Sequence, residues 1–560
     1  MQADTIIRNG RVVNVYSGEI LKADVAIRDG RILHVGEVST EGMAPGSIYD
    51  AAGDYLIPGF FDGHAHMDLF YNPFAYARCV LARGTTCIFN DGHDLAAVVG
   101  VDDFLAIIQS LQHGPMTIKS GAPAATPPYP EVEGEDLWTT ADFRKAMACD
   151  DILSVSETVS YLRIVHRDPI LMERFELART MGKLIEGHTT GANWDRLNAL
   201  AYGGVLSCHE SLNSADVISR LRLGFYVMLR HGSIRQDMEK YIEAVHAAEA
   251  FDTSRIMLVS DGIFADHLIE RGNMDWVVAE AVRCGIDPVR AIQMATLNPA
   301  RYFRLDHEVG AIAPGRLAHI LVTTSLEKPT PRLVFAKGGL VAEEGRLLTD
   351  AYQQVDPIAG SRPFGIADIH PDLFRIAQRP GLATVPVITI INRTVTGAEE
   401  MALPVHNGYY APPDDTLSAV LIARDGRKTG RGFVKGYPRG LGGLASTVSH
   451  DTHGLLVVGS NPADMALAAS EALKPGGGAV FVQNGEIRAS IPLPLGGICS
   501  MKPVPELAAE IRQLNLEIQA LGTDLDNPLW TLVFLTFTSI LQLRLTYEGV
   551  YDVRRRKIVF

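Results

Sequence analysis

The sequence predicts an α/β protein that contains a (β/α)8 barrel, a small β-sandwich and a C-terminal α+β domain. Strand-like and helix-like segments alternate over residues 58–310, which indicates βαβ units around a parallel sheet. Short strands with turn signals stand on both sides of that segment. Several apolar runs inside it end on a histidine or a carboxylate, and functional groups at the carboxyl ends of the strands are typical of such a barrel.

The two flanks of the predicted barrel read as antiparallel strands. Residues 1–57 alternate apolar and polar side chains and carry turn signals such as Asp29-Gly30. Short strands return over residues 311–356. We therefore expect these two segments to form one β-sandwich that is closed by both ends of the barrel segment.

The C-terminal third is expected to be a separate α+β domain over residues 365–560. The proline-rich segment from Pro357 to Pro380 predicts a linker before it. The longest uncharged apolar stretch of the chain, Leu529 to Leu543, is too short and too polar for a bilayer helix, which needs about 20 apolar residues. We expect it to be a buried strand pair or an interface segment.

Composition indicates a large soluble enzyme rather than a nucleic-acid or membrane protein. The chain has 560 residues, 47% of them hydrophobic, and a formal net charge of -14, which disfavours binding to nucleic acid or to an anionic membrane. The six cysteines show no C-x-x-C spacing, and the N-terminus lacks a secretory pattern. We expect a cytoplasmic protein with a small-molecule partner.

Gly63-His64-Ala65-His66 is the strongest local signal and directly follows an apolar run. Side chains alternate along a strand, so His64 and His66 point the same way and can reach one metal ion. An isolated H-x-H pair more often consists of two ordinary surface or core histidines. Further ligands are therefore needed before this pair indicates a metal site.

Four other apolar runs supply such ligands in the expected order. Each ends on a histidine or carboxylate just before loop residues: Glu157, His188, His209 and Asp261. Any one of these carboxylates alone would be read as a helix cap or an ion-pair partner. The ordered set, together with His64 and His66, predicts a hydrolytic metal centre.

At these positions the chain resembles the amidohydrolase superfamily and, within it, the adenine deaminases. The resemblance covers nearly the whole chain and is carried by Pro58-Gly59-Phe60-Phe61-Asp62-Gly63-His64-Ala65-His66, Asp91-Gly92-His93-Asp94, Glu186-Gly187-His188, Ser207-Cys208-His209-Glu210, Ala295-Thr296-Leu297-Asn298-Pro299-Ala300, Ser449-His450-Asp451-Thr452-His453 and Ile491-Pro492-Leu493-Pro494-Leu495-Gly496-Gly497.

The resemblance implies two divalent ions and a role for each ligand. His64 and His66 would bind one ion, and His188 and His209 the other. Glu157 would bridge the ions, while Asp261 would bind a metal and handle the proton. Mixed imidazole and carboxylate ligands suit Mn, Fe and Zn alike. The family also implies a homo-oligomer.

Several further groups are candidates for accessory roles. Asp91, His93 and Asp94 would support an accessory metal or the metal ligands, although a strand-to-helix turn capped by Asp94 is an equal alternative. His450 and His453 would close over the substrate pocket or bind metal, or form only a turn.

Glu210, next to His209, would point to the opposite face of a continuing strand. A catalytic role for it therefore requires the strand to end there.

The chain departs from the adenine deaminase pattern in its predicted substrate pocket. Asp68 stands where the family has glutamate, Arg230 begins an altered Arg-Glu-Gly-Ser segment, and Phe264 closes the stretch Gly262-Ile263-Phe264, which replaces polar or basic residues. A site that hydrogen-bonds one ring rejects its analogues strongly, so these changes are expected to affect the substrate.

Three functions remain open at this point. The leading one is deamination of adenine or a similar aminated heterocycle by metal-activated hydroxide, with Asp261, Glu157 and Glu210 as catalytic groups. A second uses the same metals to open or desulfurate a hydantoin or thiohydantoin ring. The third is a non-catalytic scaffold built on the barrel.

Overall fold

The computed structural model of the protein describes residues 3–39, 48–135, 137–249, 252–352 and 362–560. The first part of the predicted linker, Pro357 to residue 361, lies outside these ranges. The chain opens with the strands β1 (Thr5–Asn14), β2 (Glu19–Arg28), β3 (Arg31–Gly36), β4 (Ile48–Asp50) and β5 (Tyr55–Pro58).

The central part of the chain carries parallel strands. Their bounds, with the short strand β7, are β6 (Phe60–Ala65), β7 (Phe70–Tyr71), β8 (Thr85–Asn90), β9 (Thr117–Ala122), β10 (Ile152–Thr158), β11 (Leu184–Gly187), β12 (Ser207–Cys208), β13 (Tyr226–Arg230) and β14 (Ile256–Val259). One parallel sheet has the order β11-β10-β9-β8-β6, and another has the order β12-β13-β14.

The two parallel sheets meet at both of their ends. The backbone N–H of Leu206 donates to the carbonyl of Ile185 at 3.1 Å, which joins β12 to β11. The N–H of Asp261 donates to the carbonyl of His64 at 3.0 Å, which brings the end of β14 to β6. The central part is therefore a mixed α/β structure with a curled parallel sheet.

Helices alternate with these strands and pack on their outer side. Their bounds are α1 (Pro73–Leu81), α2 (His93–Val99), α3 (Val101–Leu111), α4 (Pro130–Glu133), α5 (Thr140–Met147), α6 (Tyr161–Val165), α7 (Pro169–Thr180), α8 (Trp194–Tyr202), α9 (Ser214–Arg222), α10 (Ile242–Glu249), α11 (Ala265–Glu270), α12 (Met274–Arg283), α13 (Pro288–Met294) and α14 (Leu297–Tyr302). Strands β8 and β14 are buried throughout, as expected for parallel strands that are covered on both faces.

Four strands then return to the first sheet: β15 (Ile320–Thr323), β16 (Leu333–Ala336), β17 (Gly339–Glu343) and β18 (Arg346–Leu347). β15 pairs antiparallel with β5, with Ile320 opposite Pro58. The resulting sheet has the order β18-β17-β16-β15-β5-β1-β2-β3, with β4 beside β1. Strands from both flanks of the central segment thus join, while their division into a sandwich domain stays a prediction.

The C-terminal part combines a second large sheet with three α-helices of the described chain. Its elements are β19 (Val385–Ile390), β20 (Thr396–Met401), β21 (Val405–His406), β22 (Tyr409–Tyr410), β23 (Thr416–Ile422), β24 (Thr429–Lys435), β25 (Gly443–Ser446), β26 (Leu455–Gly459), α15 (Pro462–Leu473), β27 (Gly478–Gln483), β28 (Glu486–Pro492), β29 (Cys499–Ser500), α16 (Val504–Gln519), α17 (Pro528–Val533), β30 (Leu543–Thr546), β31 (Gly549–Asp552) and β32 (Lys557–Ile558). The main sheet runs β20-β19-β24-β23-β26-β25-β27-β28.

The apolar stretch Leu529–Leu543 is mostly helical, so the expectation of a strand pair is wrong. Asn527 caps α17 by accepting from the N–H of Trp530, and Pro528 occupies the first turn, where its missing N–H costs nothing. A short 3-10 helix, Phe534–Thr536, continues it. The Asn527 cap and Pro528 favour a helix more strongly than the following residues favour a strand.

The C-terminal part packs directly on the central part. Strand β29 pairs parallel with β7, so Cys499 lies opposite Phe70. The rings of Phe70 and Trp530 meet edge to face at 5.2 Å, and one apolar core cluster runs through both parts. Within the described ranges, no helix is both long enough and apolar enough to cross a membrane.

Candidate metal centre

The predicted ligands all lie at the carboxyl ends of the parallel strands. His64 is in β6, and the carboxylate of Asp62 below it accepts from the backbone N–H of Ser260 at 3.1 Å. This bond ties β6 to the loop after β14, where Asp261 follows. The site is therefore positioned by strand pairing rather than by flexible loops.

One half of the centre surrounds His66. Its Nε2 lies 3.3 Å from Oδ1 of Asp261 and 3.4 Å from Oε1 of Glu157. Nε2 of His64 is 3.9 Å from the same oxygen of Asp261. Both imidazoles thus face Asp261, and His66 also faces Glu157.

The other half lies on the opposite side of Glu157. Its Oε2 is 2.5 Å from Nδ1 of His188 and 3.2 Å from Nε2 of His209. Burial alone would raise the pKa of Glu157, but the imidazoles of His188 and His209 hold it well below its usual value. The carboxylate is therefore ionised and faces both halves with separate oxygens.

The donor set fits a divalent metal centre. Neither ring nitrogen of His64 has a hydrogen-bond partner, although the side chain is completely buried. Burial lowers the pKa of His64 to about 3, so the ring is neutral and offers a lone pair. Buried imidazoles without partners are costly unless a ligand satisfies them, and imidazole with carboxylate is a common donor set for Zn, Mn and Fe.

Glu210 faces the same cavity because β12 ends at Cys208. Its carboxylate forms an ion pair with Nη1 of Arg230, which also donates to Oδ2 of Asp261 at 2.8 Å. Burial would raise the pKa of Glu210, but Arg230 holds it well below its usual value. The condition that the sequence left open, that the strand ends before Glu210, is met.

Asp91 and His93 support the ligands from the next strand. The carboxylate of Asp91 accepts from the backbone N–H of Glu157 at 2.7 Å and lies 2.5 Å from Nδ1 of His93. α2 begins at His93 after Gly92, whose φ of 72° is left-handed. The segment thus combines a strand-to-helix turn with a link to the metal centre, whereas Asp94 makes no capping bond to the helix and instead contacts His453.

The cavity above the ligands has one wall from the C-terminal part. Arg230 and His450 line it, as do the apolar side chains of Phe534, Phe537 and Ile540. The sequence did not identify these last three, because they fall in the stretch that was expected to form a buried strand pair or an interface segment. The sequence signal that could have identified them as cavity residues is the aromatic or apolar character of their side chains.

Three predicted pocket residues are absent from the cavity lining in the described chain. Phe264 stacks on Trp530 at a centroid distance of 4.3 Å, because it directly precedes α11 and turns toward α17. Asp68 is buried and accepts from the N–H of Leu95 at 2.8 Å. His453 is buried 2.7 Å from Asp94. In this structure the three side chains pack and form hydrogen bonds behind the cavity, and their contact with substrate stays a prediction.

Two family models match the chain. They are the amidohydrolase family over residues 55–341 and the adenine deaminase C-terminal domain over residues 393–557. Over 570 residues the chain is 36% identical to an adenine deaminase of Moorella thermoacetica, which spans 100% of this chain and 96% of that protein. It is 33% identical to an adenine deaminase of Clostridium botulinum strain Loch Maree over 571 residues, with 100% and 95% covered.

Among solved structures, the chain is similar to a β-aspartyl dipeptidase of Fervidobacterium islandicum AW-1. It is 18% identical, with a TM-score of 0.49, and the match covers 62% of this chain and 99% of that chain. An N-isopropylammelide isopropylaminohydrolase of Burkholderia multivorans is 20% identical with a TM-score of 0.47, covering 62% and 100%.

Proposed function

Because the chain belongs to the adenine deaminases of the amidohydrolase family and is a metal-dependent hydrolase of C–N bonds, we propose that it deaminates adenine itself. Adenine and water would give hypoxanthine and ammonia. The observation that carries the proposal is the position of Glu157 between His66 on one side and His188 and His209 on the other.

We propose that His64, His66, Asp261 and Glu157 hold one divalent ion and that Glu157, His188 and His209 hold a second. Ions bound in this way lower the pKa of water to about 7 and polarise the substrate. The residues supply the proton transfers. Oδ1 of Asp261 faces His66, while its Oδ2 is held by Arg230, so this carboxylate is oriented to take a proton from water.

The same proton can then be delivered to the departing amine. The oxygen of water bonds to the carbon that carries the amine, and the carbon–nitrogen bond then breaks with its electron pair on nitrogen. The proton from Asp261 completes ammonia, and the remaining hydrogen of water stays with hypoxanthine. Glu210 stays ionised beside Arg230 and fixes the guanidinium that orients Asp261. We propose this as a positioning role rather than a proton-donating one.

A flat, apolar-faced ring suits the far wall of the cavity. Phe534 and Phe537 supply aromatic faces, and Thr394 and Arg235 add polar groups at the rim. Aromatic stacking contributes about 0.5–1.5 kcal/mol beyond burial, which supports a heterocyclic base as the substrate.

Ammonia release from adenine tests the proposal. The metal-loaded enzyme is expected to release one ammonia per adenine, and Asp261→Asn is expected to abolish release because it removes the proton acceptor. The matched control is Asp195→Asn, an exposed aspartate on α8, which should retain wild-type activity. Failure of the loaded wild-type enzyme to release ammonia would contradict the proposal, and activity on hydantoins or thiohydantoins in the same assay would redirect it to ring hydrolysis.

We also propose that the parallel strands form a complete (β/α)8 barrel, that two ions bind per chain, and that the enzyme is a cytoplasmic homo-oligomer. The backbone bonds at both sheet junctions support the barrel. The family membership supports the oligomer, which light scattering during gel filtration would test. A monomeric mass would contradict it.

A further inference from the structure

We propose that a third divalent transition-metal ion binds outside the catalytic pair, at a cluster that joins the central part to the C-terminal part. The cluster consists of His93 and Asp94 at the start of α2 and His450 and Asp451 in the loop after β25; we call it the cross-domain cluster. One ligand atom from each residue lies within 4.8 Å of every other.

The spacing within the cross-domain cluster is that of ligands around one ion. Nε2 of His93 lies 3.3 Å from an oxygen of Asp451 and 3.5 Å from one of Asp94. Nδ1 of His450 lies 3.4 Å from Asp94 and 3.5 Å from Asp451. Ligand atoms about 2.1 Å from a tetrahedral zinc ion are about 3.4 Å apart. The two edges to Oδ1 of Asp451 and the edge from His93 to Oδ2 of Asp94 match this spacing, whereas His450 approaches the other oxygen of Asp94, Oδ1.

The same distances are long for direct pairing. Charge-assisted N–H···O bonds are about 2.7–2.9 Å long, and none of these four contacts approaches that length. Both oxygens of Asp451, Oδ2 of Asp94, Nε2 of His93 and Nδ1 of His450 have no hydrogen-bond partner, although all four residues are more than nine-tenths buried. Buried polar atoms of this kind need a ligand or an ordered partner.

The surroundings prepare His93 to be a ligand. Its Nδ1 lies 2.5 Å from Asp91, which fixes the tautomer with the proton on Nδ1 and leaves the lone pair of Nε2 facing the cluster. On the other side, Asp94 contacts Nε2 of His453 at 2.7 Å, and His450 stacks on Phe537 with centroids 4.4 Å apart. The charges of the two carboxylates balance that of one divalent ion, to which both imidazoles would bind in their neutral form.

Backbone conformation also points to a built site. Asp451 and His453 have φ of 67° and 47°, a left-handed region that non-glycine residues rarely adopt. Two such residues in one short loop turn Asp451 toward α2 while His453 reaches Asp94. An ion here would link this loop of the C-terminal part to α2. Asp91, which precedes α2, accepts a hydrogen bond from the backbone N–H of Glu157.

Metal counting on the full-length protein tests the inference. After loading with Zn²⁺ and gel filtration, Asp451→Asn is expected to hold one equivalent fewer than wild type, and so is His450→Gln, which removes a ligand from the same cluster. The control Asp425→Asn makes the same chemical change at an exposed position of the C-terminal part and should hold the wild-type amount.

The metal content of each variant is compared with that of wild type, so the test of the cross-domain cluster does not depend on the catalytic pair. If the catalytic pair binds no ion, wild type would hold one equivalent and Asp451→Asn none. If Asp451→Asn and His450→Gln both hold the wild-type amount, the cluster is a network of protonated imidazoles and carboxylates, and the inference is overturned. A folded state is verified by circular dichroism, and Co²⁺ absorption bands lost in either folded variant would independently support the site.

Discussion

At the scale of single residues, the polar cavity is organised by one guanidinium. Arg230 is buried between Glu210 and Asp261 and contacts both carboxylates. Its charge offsets the desolvation of two acids that would otherwise be protonated in such an environment. Glu210 thereby fixes the orientation of Arg230, and Arg230 in turn orients Asp261.

Glu210→Gln is expected to lower kcat about 100-fold, because the neutral amide no longer holds Arg230 in place for Asp261. The bound metal should be unchanged, since Glu210 lies beside His209 without being one of the proposed ligands. Steady-state ammonia release and metal analysis measure the two effects, with Glu243→Gln, an exposed residue of α10, as the control. Wild-type kcat in Glu210→Gln would argue against the positioning role.

Glu133 is a buried acid away from the catalytic cavity. Its carboxylate accepts from Thr538 and from the backbone N–H of Tyr129, and burial raises its pKa to about 8. The unfolded group ionises near its ordinary value of 4.5. Because the folded pKa is the higher one, this glutamate destabilises the fold increasingly as pH rises from 4.5 to 8.

Glu133→Gln is therefore expected to stabilise the protein more at pH 8 than at pH 5.5, by an amount on the order of 2 kcal/mol at the higher pH. The amide can donate to Thr538 and accept from Tyr129, so both bonds survive. Thermal unfolding at the two pH values measures the effect. Glu131→Gln on the same helix is exposed and should show no such trend; an equal shift at both pH values in Glu133→Gln would refute this explanation.

At the scale of elements, the cavity is formed by the ends of the parallel strands and by one helical segment. The parallel strands present the polar ligands, whereas α17 and the 3-10 helix after it cover them with apolar side chains. Phe537, just past the 3-10 helix, stacks on His450 and lies 5.9 Å from the ring of His188. This segment therefore shapes the substrate space without contributing a proposed ligand to the catalytic pair.

Phe537→Ala is expected to raise KM for adenine about tenfold while changing kcat much less, because an aromatic contact is worth about 0.5–1.5 kcal/mol. The ring lines the cavity, where we expect it to contact the face of the substrate, and it carries no group that transfers a proton. Initial rates over a range of adenine concentrations separate the two parameters, and Tyr202→Ala, a highly exposed aromatic on α8, is the control. A large loss of kcat at unchanged KM would contradict a purely binding role.

The convergence of the proposed ligands was predictable from sequence because period-two alternation and strand ends are local signals. His64 and His66 needed only neighbouring residues to be assigned to one face. Glu210 could not be placed, since its direction depends on β12 ending at Cys208, a length that no local pattern fixes. Phe537 was missed because a helix cap in the preceding residues overrides the apolar run, and its contact with His450 depends on tertiary packing.

At the scale of the whole molecule, the C-terminal part packs on the central part through a strand pair and a shared apolar core. β29 completes a parallel pair with β7, and Trp530 packs on both Phe70 and Phe264. The main apolar cluster includes residues from both parts, so neither can expose that surface without losing burial that contributes about 25 cal/mol per Å².

Unfolding is therefore expected to be cooperative across both parts. Hydrogen exchange in increasing denaturant should give the same midpoint for β8 in the central part and β23 in the C-terminal part. Phe70→Ala should lower both midpoints together and reduce the free energy of unfolding by about 3–5 kcal/mol, because it leaves a cavity at the shared interface. Tyr16→Ala, an exposed aromatic at the other end of the chain, should move neither. Two separate midpoints, or a Phe70→Ala effect confined to one strand, would mean that the parts fold independently and that the aromatic wall of the cavity is only loosely attached.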